Sequence, residues 1–393
     1  MEKNSSKFAV MLLAFSVGVA MASIFYFQKM KPAEIPPVEQ AEDNLSKKNP
    51  DSRETLEMVF VLDTTGSMGG LLDGAKQKIW GIINEVMQRQ TNPNVRVGLV
   101  AYRDQGDAYV TNVLPLTEDL DKVYMTLMDF EAAGGGDTPE NVRRALAESV
   151  NKAGWSESKQ GIARIIFLVG DAPPQNYQNE PDVLATTASA TKKNMIVNTI
   201  QCGDDSDTRR VWQAIAQRGQ GKYFSIAQDG GVQTITTPYD ARLAELGSKI
   251  GETYVAYGTE RVEKEERQMA MESNMANASS NPAKADRALN KAINKDAYSG
   301  DLLQDIENGK AKLEEVKTSD LPEDLQKLSE TERRAEIEKR LADRKSIRGE
   351  ILNLSKQREA FISAERKKSG KQNGFDTAVA EALSEQLSRR GNK

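Results

Sequence analysis

The stretch MVFVLDTTGS, Met58 to Ser67, decides how the rest of the chain reads. An apolar run ending on an aspartate has the composition of a strand buried on both faces that stops at a polar edge. In the loop that follows, Asp63, Thr65 and Ser67 stand at alternating positions. Gly66 permits the turn that lets their oxygens converge.

Moving outward, Leu72, Ala75, Ile79, Ile82, Ile83 and Val86 recur at helical spacing and predict a helix from about Gly70 to Gln90. VRVGLVAYRD (Val95–Asp104) is the next strand, and YVTNVLPL, after a Gly-Asp turn, is its antiparallel partner at the sheet edge. Two helices bracket the turn GGGDTPE (Gly134–Glu140). Strands then follow at Ile162–Asp171, Met195–Cys202 and Lys222–Ile226, alternating with helices near Asp182–Lys193 and Thr208–Arg218. This alternation predicts an α/β fold with a doubly wound, mainly parallel sheet, Rossmann-like in arrangement. Ligands of such sheets bind outside the carboxyl ends of the strands, and Asp63 and Asp171 both stand at such ends.

Thr138, on the glycine-rich turn, adds a third hydroxyl, and Asp171 adds a second carboxylate. Asp63, Thr65, Ser67, Thr138 and Asp171 thus form an all-oxygen donor set. Such a set suits a hard cation: Mg²⁺, Mn²⁺ or Ca²⁺. Taken singly, Ser67 is also a natural helix cap and Asp63 a strand-end turn residue. Asp137 and Glu140 read as solvated loop carboxylates, and Arg103 with Asp104 as a local ion pair. Gly219-Gln220-Gly221-Lys222 is not a phosphate loop, because Ala216 stands where a glycine is required and no Ser or Thr follows the lysine.

With DTTGSMGG, AYRD, GGGDTPE and VGDAPP in this order, the chain resembles the von Willebrand factor A family over about Leu56 to Gly258, in its hemicentin-like and bacterial branch. That family carries a metal-ion-dependent adhesion site written Asp-x-Ser/Thr-x-Ser with a later Thr and a later Asp. The resemblance implies that Thr65 and Ser67 bind the metal directly, Thr138 directly or through water, and Asp63 and Asp171 largely through water. A partner's Asp or Glu carboxylate would then complete the coordination.

Composition narrows the alternatives. The 393 residues include no histidine, which excludes imidazole bases and His-ligated zinc, and the metal site has no tuned base beside it, so no enzymatic turnover is expected. Cys202 is the only cysteine and reads as a core residue. The span Thr55–Gly258 holds 25 acidic and 19 basic residues, and no basic stripe exists for a phosphate backbone, so nucleic acid is not an expected partner.

The ends of the chain set its expected organisation. Phe8–Phe27 carries no formal charge and, at ~1.5 Å per residue, spans a ~30 Å hydrocarbon core. It reads as a transmembrane signal anchor within 1–31; the alternative is a signal peptide cleaved after Ala22, giving a secreted protein. Either places the domain on the far, periplasmic or extracellular, side of a membrane. Residues 32–54 read as a flexible linker, 55–258 as the α/β domain, 259–285 as a frayed helix running into a second linker and 286–393 as a charged α-helical region of bundle or coiled-coil type. Its stripe of Leu321, Leu325, Leu328, Ile337, Leu341, Ile347, Ile351 and Leu354 breaks near Glu332 and Arg344, which favours a bundle or hairpin packing on itself over one uninterrupted coiled coil, and Phe375, Val379, Leu383 and Leu387, spaced by four, predict one more helix. The expected function is a membrane-anchored, cation-dependent protein-binding module. The alternative is a scaffold for an envelope or secretion assembly that acts through these helices, with an architectural metal site.

Overall fold

The computed structural model describes residues 54–89, 93–136, 139–157, 161–294, 296, 298, 300–369 and 374–391. The expected anchor and the linker up to residue 53 lie outside them. No described helix is long and apolar enough to cross a membrane.

Strand β1 (Thr55–Asp63) is buried almost throughout, as its apolar run requires, and takes the centre of the sheet. It pairs in parallel with β2 (Asn94–Tyr102) on one side and β4 (Ile162–Gly170) on the other. β3 (Thr111–Thr117) is the antiparallel edge beside β2, while β5 (Met195–Cys202) and β6 (Gln220–Ile226) extend the sheet beyond β4. The order of the described strands is β3-β2-β1-β4-β5-β6.

Because side chains alternate across a strand, Phe60 and Leu62 point to one face and Val59 and Val61 to the other. The first face, with Phe167 and Val169, packs on α1 (Gly69–Arg89) and α2 (Leu120–Asp129) through residues such as Trp80 and Tyr124. The second, with Ile166 and Leu168, packs on α3 (Val142–Asn151), α4 (Val183–Lys192) and α5 (Ser206–Arg218) through Leu146, Val183 and Trp212. The doubly wound arrangement expected from the sequence is therefore present, and α6 (Asp240–Glu252) follows it.

The C-terminal third differs from its expected organisation. The helix expected at the start of 259–285 is present, but it does not run out into a linker: α7 (Arg261–Ala278) and the start of α8 (Asn281–Ile293) occupy the stretch, and Met275 reaches the main core. Polar contacts rather than an apolar stripe hold this segment. Glu272 accepts from Arg287 and from Lys291 Nζ at 2.7 Å, and Arg287 also pairs with Asp121 of α2. Composition alone reads such a segment as solvated.

The stripe divides at its first break: Leu321, Leu325 and Leu328 precede the long helix, Leu325 on a short turn of helix (Glu323–Gln326), while the part from Ile337 to Leu354 lies on one continuous helix, α9 (Glu330–Ser369), which packs on α6 and α8. Ile347, Ile351 and Leu354 meet Leu243, Leu246 and Ile250, while Ile337 and Leu341 join Val255, Leu302 and Leu321. Both breaks in the stripe have physical explanations. Glu332 belongs to the helix start, where its carboxylate accepts from the Ser329 backbone N–H at 2.9 Å. Arg344 is wholly buried, paired with Asp301 and donating to the Thr253 hydroxyl and carbonyl, both at 2.7 Å. A turn-repeated arginine further on, Arg358, likewise reaches Asp240 and Asp286 at 2.6 Å each.

Helix α10 (Phe375–Gly391) carries the expected Phe375, Val379, Leu383 stripe and buries it on the first face of the sheet, with the Phe375 ring 6.0 Å from that of Phe60. Residues 53–393 therefore make one compact unit.

A buried ion pair broken from one side leaves an uncompensated charge. Arg344→Ala is expected to lower unfolding free energy by about 3–5 kcal/mol, whereas Arg334→Ala, which breaks the exposed pair with Glu314, should cost less than about 1 kcal/mol. Denaturant unfolding of both variants checks the contrast.

Candidate functional site

Asp63 ends β1 level with Tyr102 of β2 and is fully buried. One carboxylate oxygen, Oδ1, accepts from the Thr65 backbone N–H at 2.9 Å and from the Thr65 hydroxyl at 2.6 Å. The other, Oδ2, is buried with no hydrogen-bond partner. Thr65 Oγ1 is 3.4 Å from Ser67 Oγ, so these two hydroxyls and the carboxylate share one side of the loop. Thr64 faces the opposite way, donating to the Tyr102 carbonyl at 2.9 Å and lying 2.8 Å from the Tyr109 hydroxyl.

Asp171 follows β4, the other neighbour of β1. Thr208 Oγ1 holds its carbonyl at 3.0 Å and Gln228 Nε2 holds its carboxylate Oδ2 at 2.6 Å. Gly170, just before it, has to be glycine. A Cβ there would lie 2.2 Å from the Tyr102 hydroxyl and 3.2 Å from Asp63 Oδ2, because the tyrosine crosses over it to reach the Val169 carbonyl.

The glycine-rich turn closes the site. It is stitched to the DTTGS loop by Gly66 N–H to the Gly134 carbonyl and Ala133 N–H to the Thr64 carbonyl, at 3.3 and 3.1 Å. Gly134 and Gly135 are both left-handed, at φ +78° and +73°, which brings the turn over Thr65. Thr138 and Asp137 lie outside the described residues. Asp63, Thr65, Ser67 and Asp171 are therefore the expected donors whose surroundings the structure gives.

Three carboxylates were undervalued by the sequence reading. Glu140 is 3% exposed instead of solvated, with Oε2 unpartnered, because its backbone bridges the loop after Asp171 through the Pro173 carbonyl and the Gln175 N–H. Asp104 is also buried, bonded to the Tyr177 hydroxyl at 2.7 Å and with Oδ1 unpartnered. Arg103 turns away from it to the carbonyls of Thr64 and Glu131, its guanidinium 4.4 Å from the Tyr109 ring centre. Asp107 accepts from the N–H groups of Asp104 and Gly135 and so braces the turn. The signal available in sequence was the acidic spacing after β2; only the fold brings it beside Glu140.

Burial crowds these charges. The Asp63 carboxyl is pushed up to about 7, first by desolvation and then by Asp171, against the opposing hydrogen bonds of Thr65 and the nearby Tyr102 hydroxyl, which donates to the Val169 carbonyl rather than to Oδ2. The Glu140 carboxyl is pushed up to about 8 by desolvation and by Asp63, Asp104, Asp107 and Asp171. Among the described residues no three carboxylates gather tightly enough to hold a cation by themselves. A cation here would need the hydroxyls of Thr65 and Ser67 as donors.

The family profile of the von Willebrand factor A domain matches residues 57–238, the sheet and both loops of the site. Those residues are a von Willebrand factor A domain. Beyond the profile, the chain is 31% identical over 198 residues to mouse von Willebrand factor A domain-containing protein 7, covering 49% of this chain and 20% of the relative. The rat protein of the same description is 40% identical over 89 residues, covering 22% of this chain and 9% of the relative. The chain spans a fifth or less of the length of these curated relatives. Among solved structures it is similar to the von Willebrand factor A domain of SpRpn10, at 15% identity and TM-score 0.34, covering 45% of this chain and 89% of that one. It is also similar to the conserved hypothetical protein BatB from Bacteroides thetaiotaomicron, at 18% identity and TM-score 0.32, covering 44% and 90%.

The site makes the von Willebrand factor A domain sensitive to pH. Both acids have folded-state pKa values raised above their ordinary 3.8 and 4.5, so the folded state binds protons more tightly than the unfolded state. Their contribution is full below about pH 4 and is lost as pH rises through about 7 for Asp63 and about 8 for Glu140. The thermal midpoint without divalent cations is expected to fall across this window, and Glu140→Gln should flatten its upper part. A series of melts from pH 4 to 9 in chelator reads the slope.

Proposed function

We propose that the von Willebrand factor A domain of this chain is a divalent-cation-dependent protein-binding module that captures an acidic side chain of a partner. The observation that carries the reading is Asp63 Oδ2, a buried carboxylate oxygen without a partner beside the hydroxyls of Thr65 and Ser67. An unpaired buried carboxylate is costly, and a cation is the charge that relieves the cost. Asp63, Thr65, Ser67 and Asp171 would hold it, with Thr138 as the remaining hydroxyl.

When bound, a hard cation such as Mg²⁺, Mn²⁺ or Ca²⁺ offers an open coordination position to an outside oxygen. The chain's own residues do the rest. Thr65 fixes Asp63 in one orientation, Gln228 holds Asp171, and the paired left-handed glycines bring the turn close over Thr65. The reading is of binding without turnover. Membrane anchoring through Phe8–Phe27, with the domain on the far side, is part of the same proposal and follows from the uncharged run and its flanking lysines.

The alternative, a scaffold that acts through its C-terminal helices, draws on α9. It runs for 40 residues and keeps a charged, exposed outer side.

Two measurements test the cation reading. Residues 54–393, titrated calorimetrically with Mg²⁺ and Mn²⁺, are expected to bind one ion per chain, and Asp63→Ala with Asp171→Ala should abolish the heat. Absence of binding in the unsubstituted protein would sink the proposal. Thr138→Val should weaken cation binding and partner capture at nearly unchanged stability. Thr64→Val should instead cost about 1–2 kcal/mol of stability, through its lost buried hydrogen bond, and leave cation affinity intact. Equal loss of cation affinity in the two variants would mean that Thr138 is misplaced as a donor.

A further inference from the structure

The Asp171 carboxylate is held from outside the strand that carries it. Gln228, in the turn after β6, spans the gap and donates Nε2 to Asp171 Oδ2 at 2.6 Å. Its amide oxygen lies over Gly203, where a Cβ would come within 2.4 Å of Gln228 Oε1, so this placing of the amide depends on the glycine. Gly203 is itself left-handed at φ +78° and donates its N–H to the Ile226 carbonyl at 3.0 Å, which fixes where the turn leaves β6. With Oδ2 taken by Gln228 and the backbone carbonyl by Thr208, Oδ1 is the oxygen of Asp171 that stays available to a cation or its water.

The same short turn is the docking point of α10. The Gly230 carbonyl accepts the Phe375 N–H at 2.9 Å, and a Cβ on Gly374 would lie 2.5 Å from the Gly231 carbonyl oxygen. From the other side α1 seals the turn: a Cβ on Gly70 would come within 2.8 Å of Asp229 Cα, and Leu71 lies against Gly230. Phe375, 1% exposed, then anchors the helix in the core under β1. A chain of contacts therefore runs from Asp171 through Gln228 and Gly230 to Phe375, and α10 lies beyond the stretch that matches the domain family.

We infer that Gln228 is the positioning residue of Asp171 and that α10 is its anchor, so that cation binding and docking of the C-terminal helix support each other. The inference rests on the cation reading above. Hydrogen-bond partners that orient a ligating carboxylate change metal affinity by about 10–100-fold when removed. Coupling between two equilibria is reciprocal, so a site that is better formed when α10 is seated must also hold α10 more firmly when loaded.

The experiment uses the full chain, Mg²⁺ as the probe, and amide hydrogen exchange over Phe375–Gln386 alongside calorimetric titration. In the unsubstituted protein, saturating Mg²⁺ is expected to slow exchange in α10. Gln228→Met keeps the length of the side chain and removes its donor. It should weaken Mg²⁺ binding about 10-fold or more, abolish the Mg²⁺-dependent slowing in α10 and leave the thermal midpoint nearly unchanged, since Gln228 is exposed. Gly203→Ala, which displaces the same amide from behind, should reproduce the loss of affinity. Phe375→Leu, far from the site, should weaken Mg²⁺ binding in proportion to the protection that it removes from α10. Equal Mg²⁺ affinity in Gln228→Met and the unsubstituted chain, or α10 exchange indifferent to bound Mg²⁺, overturns the inference while leaving the cation site standing. Failure of the unsubstituted chain to bind Mg²⁺ overturns both.

Discussion

A carboxylate buried at the end of a central strand is the constraint on which the rest of the site depends. Asp63 cannot retreat to solvent, because β1 is flanked by β2 and β4 and covered on both faces. Its Oδ1 is satisfied within two residues by Thr65, which leaves Oδ2 facing the space bounded by Gly170, Tyr102 and the glycine-rich turn. Desolvation of that oxygen is unfavourable for the bare anion and favours a proton there, and a bound cation is the compensation on which the proposed function rests. The surrounding choices follow from this: glycine at 170, where no side chain fits, and left-handed glycines at 134 and 135, which bring the turn close.

The carboxylates around Asp63 sharpen the same tension. Glu140 and Asp104 are both buried with an oxygen unpartnered; the backbone of Glu140 is tied to the loop after Asp171, and the carboxylate of Asp104 is held by the Tyr177 hydroxyl of that same loop. Such crowding raises the proton affinity of Asp63 and Glu140 and opposes the ionisation of both at once.

Away from the site, charge is used in the opposite manner, in closed pairs. Arg344 with Asp301, Arg358 with Asp240 and Asp286, and Arg287 with Asp121 and Glu272 fasten the C-terminal helices to the domain. Each guanidinium presents a planar fork that satisfies several acceptors at once, which a lysine in the same place could not do. These pairs make α7 to α9 a continuation of the domain's packing, while α10 docks through its apolar stripe and the Phe375 N–H, which brings it against the turn that touches Asp171.

Strand and helix positions in the domain were legible in the sequence because apolar period and turn residues are local properties; the edge strand, the buried β1 and the placing of Asp63 and Asp171 at strand ends all followed from them. The helical character and apolar stripes of residues 321–387 were legible for the same reason. What the stripes packed against was not. A buried Arg344 and a surface arginine are the same letter, and a helix held by ion pairs, as α7 is, has the composition of a linker. The burial of Glu140 and Asp104, the role of Gln228 and the docking of α10 on the Gly230 turn each depend on residues far apart in the chain meeting in space. Desolvation and pairing are properties of that meeting, so only the tertiary structure decided them.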